Sequence, residues 1–384
     1  MSSSQGPELL VVAGEASGDL HGARLLTELR RLAPGVRCYG MGGEELEAAG
    51  LERVADSNEV SVVGITEALK ILPRARQIFR QLLDEVDRRG TRCALLIDFP
   101  DFNLRLAKKL EGRGVEVVYY VSPQIWAWRR GRVKAIARRV AKMLVLFPFE
   151  VGFYRKHGVE VVHVGHPLVD EVPELPQVWE QGPPRDTPYR IALLPGSRRS
   201  EVTTLLPILL RSVAVLAERL PIRAQVLRAP TIPRSLLEEA VALEGLPIEI
   251  ADGSHQRRFQ ALAESHLALC ASGTATLETG LLGTPLVVIY RLTGWTYWLA
   301  RLLVRLPHVS LVNLVLERRA VPEMIQHDAT PERIADRVEE LLRDPERIRE
   351  MRSDLGELRS RLGEPGASGR AAREVAETLG VLSP

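Results

Sequence analysis

Cysteine, lysine and aromatic residues are scarce in this chain. Only three cysteines occur among 384 residues. Cys38, Cys93 and Cys270 are odd in number and far apart, so no disulfide framework is indicated. No CxxC or Cys/His spacing marks a structural zinc. No apolar run reaches the ~18 residues of a spanning helix, and MSSSQGPELL lacks the basic and apolar regions of a secretory signal. A cytoplasmic protein, in solution or on a membrane surface, is expected. Only six of the 51 basic residues are lysine. Because arginine is abundant everywhere, an arginine cluster needs local support before it is read as a binding patch. The net charge of +2 lacks the basic excess of a nucleic-acid coat. No strand is followed by GxGxxG or GxxxxGK[ST], so neither a nicotinamide site nor a P-loop is indicated.

What is present is a rhythm of short apolar runs alternating with amphipathic stretches. Nine strands are predicted: Leu9–Ala13, Ala94–Ile97, Val115–Val121, Met143–Phe147, Ile191–Leu194, Ala224–Leu227, Ile248–Ile250, Leu267–Cys270 and Leu286–Tyr290. Continuous apolar runs bounded by turn residues suit buried parallel strands, and the βαβα order predicts doubly wound α/β architecture. Residues 172–188 hold five prolines and no good period, so the boundary is placed there. This gives an N-terminal domain over 1–172, a linker over 173–188, a C-terminal domain over 189–345 and a helical tail over 346–384.

Ligands of such folds bind beyond the carboxyl ends of strands, and four of these ends carry unusual chemistry. The first is Gly14-Glu15-Ala16-Ser17-Gly18-Asp19. Ser17 or Asp19 could cap the next helix, but capping does not require Glu15. The second is Asp98-Phe99-Pro100-Asp101-Phe102-Asn103. Pro100 is expected to keep Phe99 extended. Asp101 or Asn103 can cap, which leaves Asp98 free to act as a general base or simply to pair. The third, Pro195-Gly196-Ser197-Arg198-Arg199, suits a phosphate at a helix N-terminus. The fourth, Ala271-Ser272-Gly273-Thr274-Ala275-Thr276-Leu277-Glu278, could hold a diphosphate on backbone amides, with Glu278 accepting from ribose hydroxyls. An ordinary capping box fits it too.

Three stretches could meet a bilayer. Trp295, Trp298, Leu299, Leu302, Leu303 and Leu306 share a helical face, and no acid occurs from Thr279 to Leu316. A buried core helix fits that periodicity equally well. Arg129–Lys142 carries seven basic residues and no acid, and Val62–Leu72 is apolar and closed by Pro73. Trp126 and Trp128 could hold sugar or lipid, or fill a cleft. His163 and His166 are three apart, which in an extended segment does not put both rings on one side, and no acid is adjacent, so no metal is expected.

AGEASGDLHGARLL, VVGITEAL, IDFPDFNLRLAKKL, YYVSPQIWAW, LFPFEVGFY, VGHPLVD, LLPGSR and ASGTATLE occur in this order between about Val11 and Gln326. The series resembles the lipid-A-disaccharide synthases. The resemblance implies an inverting GT-B glycosyltransferase, two Rossmann-like doubly wound domains facing a central cleft, with no metal or other cofactor. It implies transfer of 2,3-diacylglucosamine from UDP-2,3-diacylglucosamine to 2,3-diacylglucosamine 1-phosphate (lipid X). The products would be a β-1′,6-linked disaccharide 1-phosphate and UDP, in lipid A biosynthesis of Gram-negative bacteria. By the same resemblance, Asp98 is the general base and Glu15, Ser17 and Asp19 line the acceptor side. Arg198, Ser272, Thr274, Thr276, Glu278, Asn313 and Gln326 would hold the donor. Val312 stands where the family usually has Pro, which is expected to loosen the backbone before Asn313. Acylated substrates imply peripheral attachment to the anionic inner face of the inner membrane, with Val62–Leu72 as the favoured docking element. A homodimer is left open, and no nucleic-acid partner is implied. The competing reading is a UDP-sugar epimerase, or another enzyme of the same fold acting on soluble UDP-GlcNAc.

Overall fold

The computed structural model describes residues 6–60, 65–126, 130–175, 187–245, 247–251, 255–291 and 307–382, with the side chains of 65–71 and 130 excepted. The chain divides into two compact units, Met1–Pro167 with Gly363–Pro384, and Leu168–Leu362. The tail expected as one segment is thus shared between them, and the first boundary falls at 167/168 rather than at 172. Most of the proline-rich linker, the Trp295 stripe, residues 62–64 and the side chains of 65–71 lie outside what is described.

The N-terminal unit runs β1 (Glu8–Ala13), α1 (Ala16–Leu32), β2 (Arg37–Gly42), α2 (Glu44–Ala48), β3 (Glu52–Asp56), α3 (Ile65–Arg89), β4 (Cys93–Ile97), α4 (Pro100–Glu111), β5 (Glu116–Tyr120), α5 (Val133–Arg139), β6 (Lys142–Val145), α6 (Pro148–Arg155) and β7 (Val161–His163). Its seven strands are ordered β3-β2-β1-β4-β5-β6-β7 and every pairing is parallel. Every residue of β4 is buried, as a central parallel strand covered on both faces requires. One core face collects Leu10, Val12, Leu96 and Tyr119 with Ile78 and Leu82 of α3. The other collects Leu9, Val11, Leu95 and Ile97 with Leu25 and Leu29 of α1. Pro73 lies inside α3 and does not close it, so the apolar stretch continues into a 25-residue helix. A proline removes one internal hydrogen bond, and the Ile78, Leu82, Val86 face buried beyond it carries the helix through.

The C-terminal unit runs α7 (Leu168–Glu171), β8 (Tyr189–Leu194), α8 (Arg199–Ala217), β9 (Ile222–Leu227), α9 (Arg234–Glu244), β10 (Glu249–Ala251), α10 (His255–Ala263), β11 (Leu267–Ala271), α11 (Thr274–Leu281), β12 (Leu286–Tyr290), α12 (Leu311–Leu316), β13 (Glu323–Ile325), α13 (Pro331–Arg343) and α14 (Pro345–Leu362). Its sheet is ordered β10-β9-β8-β11-β12-β13, again all parallel. α8 is long and apolar enough to cross a membrane by composition. Its face of Val202, Leu205, Leu206, Leu209, Leu210 and Val213 is buried in the protein, the behaviour of a core helix.

Both sheets reverse strand order at one point, between β1 and β4 and between β8 and β11. At such a point the connections leave in opposite directions and open a crevice. All four strand-end motifs of the sequence flank these two crevices. The last helix, α15 (Ala367–Thr378), returns to the N-terminal unit, where Ala371, Ala372, Val375 and Ala376 join the core face of α1. Lys142 is anchored to its Glu374 at 2.7 Å.

Candidate active site

Asp98 follows β4 in the left-handed region, φ 44°, and so does Phe99, φ 47°. The expected extended Phe99 is therefore corrected: the chain makes its turn at these two residues and enters α4 at Pro100. Two consecutive non-glycine residues in this region are strained, and such strain persists only where neighbours hold it. Here the holders are visible. The Asp98 amide donates to the Tyr120 carbonyl at 3.0 Å. The Asp98 carbonyl accepts from the Asn103 side-chain amide at 2.8 Å and from the Tyr119 hydroxyl. The same Asn103 amide reaches the Ile97 carbonyl at 3.2 Å, with Val12 at 3.5 Å. Asn103 thus stitches the ends of β1 and β4 rather than capping α4, and Asp101 pairs with Arg132 at 2.6 Å.

The Phe99 ring lies against Gly14. A Cβ on Gly14 would fall 2.3–2.6 Å from three ring carbons, so this glycine is required by close approach. Burial, and then the charge of Glu15, push the Asp98 carboxyl up from 3.8 to about 6. A carboxylate poised in this way at the end of a central strand can take a proton near neutral pH. Glu15 and Ser17 are exposed beside it. Glu15 occupies the position before α1, and no side chain caps that helix.

Asp19 must be reassigned. It is buried, and its carboxylate accepts from the amides of Gly43 (2.6 Å), Glu45 (3.0 Å) and Leu46 (3.3 Å). It caps α2 from outside that helix, with both oxygens engaged by backbone amides within the protein.

At the second crevice the two strand ends behave differently. The amides of Ser197 and Arg198 are occupied by Glu201, whose Oε2 accepts at 3.1 and 3.3 Å. The place reserved for a phosphate therefore holds the chain's own carboxylate, a capping arrangement read too simply from sequence. The Arg198 side chain remains 79% exposed, with Glu201 at 3.4 Å. The N-terminus of α11 has no side-chain cap. Thr274 is exposed there, and Ser272 is partly buried with its hydroxyl on the Val309 carbonyl at 3.1 Å. Thr276 is fully buried with its hydroxyl on the Gly273 carbonyl at 2.7 Å, which corrects its placement as a ligand group. Glu278, on the next turn, pairs with Arg258 of α10 at 2.7 Å.

Asn313 is also corrected. It is fully buried and spends both ends of its amide internally. Its nitrogen donates to the Val321 carbonyl and to Glu323, both at 2.9 Å, and its oxygen accepts from the Val321 amide at 2.9 Å. Val312 is buried in the first turn of α12, capped by Ser310, so the Pro-to-Val difference loosens nothing. Asn313→Ala should cost about 2–4 kcal/mol, because it strands the buried Val321 groups. Urea unfolding will measure this; a loss below about 0.5 kcal/mol would show that the clamp is dispensable. Gln326 ends β13 in the left-handed region, φ 53°, the third strand end with this signature after Asp98 and Val121.

The expected lipid and sugar patches are largely used within the protein. In the Arg129–Lys142 stretch, Arg132, Arg138, Arg139 and Lys142 all pair with acids. Trp126 is buried and donates to Glu150 at 3.1 Å. Glu150 also accepts from Ser122 and from the Phe147 amide at 3.1 Å. It ties the loops after β5 and β6 together, and burial pushes it up to about 7. The three thiols are buried, and burial pushes each up to about 12. A cavity of about 640 Å³ beside β10, lined by Arg234, Glu238 and Arg257, contains none of these candidate residues.

Residues 9–377 match the family model described as lipid-A-disaccharide synthetase. The chain belongs to the lipid-A-disaccharide synthase family. A synthase of this name from Myxococcus xanthus is 46% identical over 378 residues, covering 97% of this chain and 98% of the relative. Two solved structures show the same GT-B fold at low identity. The calicheamicin glycosyltransferase CalG4 aligns with TM-score 0.58 and 18% identity, covering 99% of this chain and all of that one. A UDP-GlcNAc 2-epimerase from Neisseria meningitidis bound to UDP-GlcNAc aligns with TM-score 0.55 and 11% identity, covering 97% and 99%. Since transferases and epimerases share this fold, the fold alone does not choose between them. Membership of the lipid-A-disaccharide synthases does. The chain is a glycosyltransferase, and the epimerase reading falls.

Proposed function

We propose that the chain joins UDP-2,3-diacylglucosamine to lipid X, with Asp98 as the base. The observation that carries this is the Asp98 carboxylate, held at a reversal crevice on a strained turn and pushed up to about 6 by burial and Glu15. Asp98 takes the proton from the acceptor 6-hydroxyl as that oxygen attacks the anomeric carbon. The bond to the UDP oxygen breaks on the opposite face, so the configuration inverts in one displacement and needs no covalent nucleophile. Glu15 and Ser17 line the acceptor side. The leaving diphosphate is stabilised by the uncapped N-terminus of α11, with Ser272, Thr274 and the exposed Arg198, and Gln326 closes this side. Glu278 accepts from the ribose hydroxyls.

Both substrates carry acyl chains, so the reaction takes place at the anionic cytoplasmic surface of the inner membrane. Leu72 on α3, 39% exposed, supports a docking element there. The test is UDP release with both acylated substrates presented on anionic vesicles. Release should require donor and acceptor together and fall about tenfold or more when the acceptor lacks its chains. Equal turnover of a deacylated acceptor would refute the lipid specificity.

A further inference from the structure

Glu278 and Arg258 form a buried ion pair on two different helices, and neither function nor folding obviously demands it. Their side chains are 11% and 10% exposed and meet at 2.7 Å. Arg258 sits on α10 over the Phe259 ring, and its Nε has no partner. A buried pair of this kind is rarely a net source of stability, since apolar replacements of similar volume often do as well. Its position supplies another reason for it. Glu278 lies one turn inside α11, whose N-terminal amides no side chain caps. Only its Oε2 is hydrogen-bonded to the arginine.

We propose that Arg258 is a positioning residue of the donor site, orienting the Glu278 carboxylate so that its second oxygen can accept from the ribose diol of a nucleoside diphosphate. This rests on the reading that α11 holds the UDP moiety. Three groups act on Glu278 electrostatically or sit beside it: Arg258 from α10, Glu171 from α7 and the Cys270 thiol from β11. Burial and Glu171 favour the protonated acid, and Arg258 opposes them. Without the arginine, the carboxyl turns toward its neutral form, rotates, and accepts poorly from a diol.

The experiment is calorimetric titration of the full-length chain with UDP and with the dideoxy analogue that lacks both ribose hydroxyls. Wild type should prefer UDP by about tenfold or more. Arg258→Met should remove most of this preference while leaving analogue affinity unchanged, and as pH is lowered UDP affinity should begin to fall at a higher pH than in wild type, because Arg258 is what opposes the upward push of burial and Glu171 on Glu278. Arg258→Lys should restore part of the preference, and serves if Arg258→Met does not fold. Equal weakening of both ligands, or an undiminished preference, overturns the role of Arg258. A preference retained in Glu278→Ala, which has no side-chain acceptor, instead overturns the placement of the ribose, which separates failure of the donor-site reading from failure of this inference.

Discussion

Asp98→Asn is expected to lower turnover by about 10²–10⁴-fold while raising the melting temperature at neutral pH. Both effects have one cause. Asparagine keeps the shape of the side chain but cannot take a proton. The folded protein also holds the Asp98 carboxyl at about 6, above its ordinary 3.8. A raised carboxyl pKa means that the folded state binds the proton more tightly than the unfolded chain. Stability from this group is therefore full at low pH and is lost as pH rises from about 4 through about 6. At neutral pH the ionised side chain costs about 2–3 kcal/mol, the equivalent of that shift. Asparagine removes the charge and so relieves the cost. In wild type, activity should rise with pH through about 6, because the base must first lose its proton. Glu15→Gln should move that rise to lower pH, since the Glu15 charge is the second contributor to the shift. Measuring UDP release and melting across pH 4–8 would decide it, and a variant with near wild-type turnover would remove Asp98 as the base.

Gly14→Ala should lower turnover by about a hundredfold, although it touches no substrate group in the proposed reaction. The new Cβ would lie 2.3–2.6 Å from the Phe99 ring. The ring must move, and it is attached to a residue whose backbone sits next to Asp98 on the same left-handed turn. A displacement of about an ångström at a reacting group is enough for that loss. Overpacking should cost stability only about 1–3 kcal/mol. Adding Phe99→Leu to Gly14→Ala makes room and should recover part of the activity. Unchanged kcat in Gly14→Ala would show that the ring does not set the carboxylate.

The elements that were legible from sequence are those whose burial leaves a compositional trace. β1, β4, β8, β11 and β12 are continuous apolar runs, and each was readable. The missed strands have no such run. β2 reads RCYGMG, with two glycines, one of which meets the Val11 carbonyl so closely that no Cβ fits. β3 is charged and half exposed, and β7 and β13 are three residues each. The candidate site divides in the same way. Strand-end position was visible, and it put Glu15, Asp98, Arg198 and Ser272 at the two crevices. What a polar side chain does there was not visible, because spacing cannot say which way it turns. Asp19, Thr276 and Asn313 have the residue types of ligand groups, yet their oxygens and nitrogens satisfy buried backbone instead. Tyr119 and Arg258 were missed for the converse reason, since their partners lie 21 and 20 residues away in sequence. The left-handed turn at Asp98 and Phe99 contains no glycine to announce it.

The N-terminal unit is closed by α15, which follows the whole of the second unit in sequence. A chain emerging from the ribosome has made all of the first sheet long before Ala371, Ala372, Val375 and Ala376 exist to cover one side of α1. At roughly 5–20 residues per second, that apolar face waits for the whole of the second unit to be synthesised. The unit that carries Asp98 is thus completed only after the whole of the second unit has been made. Domain order along the gene and order of maturation run in opposite directions in this protein.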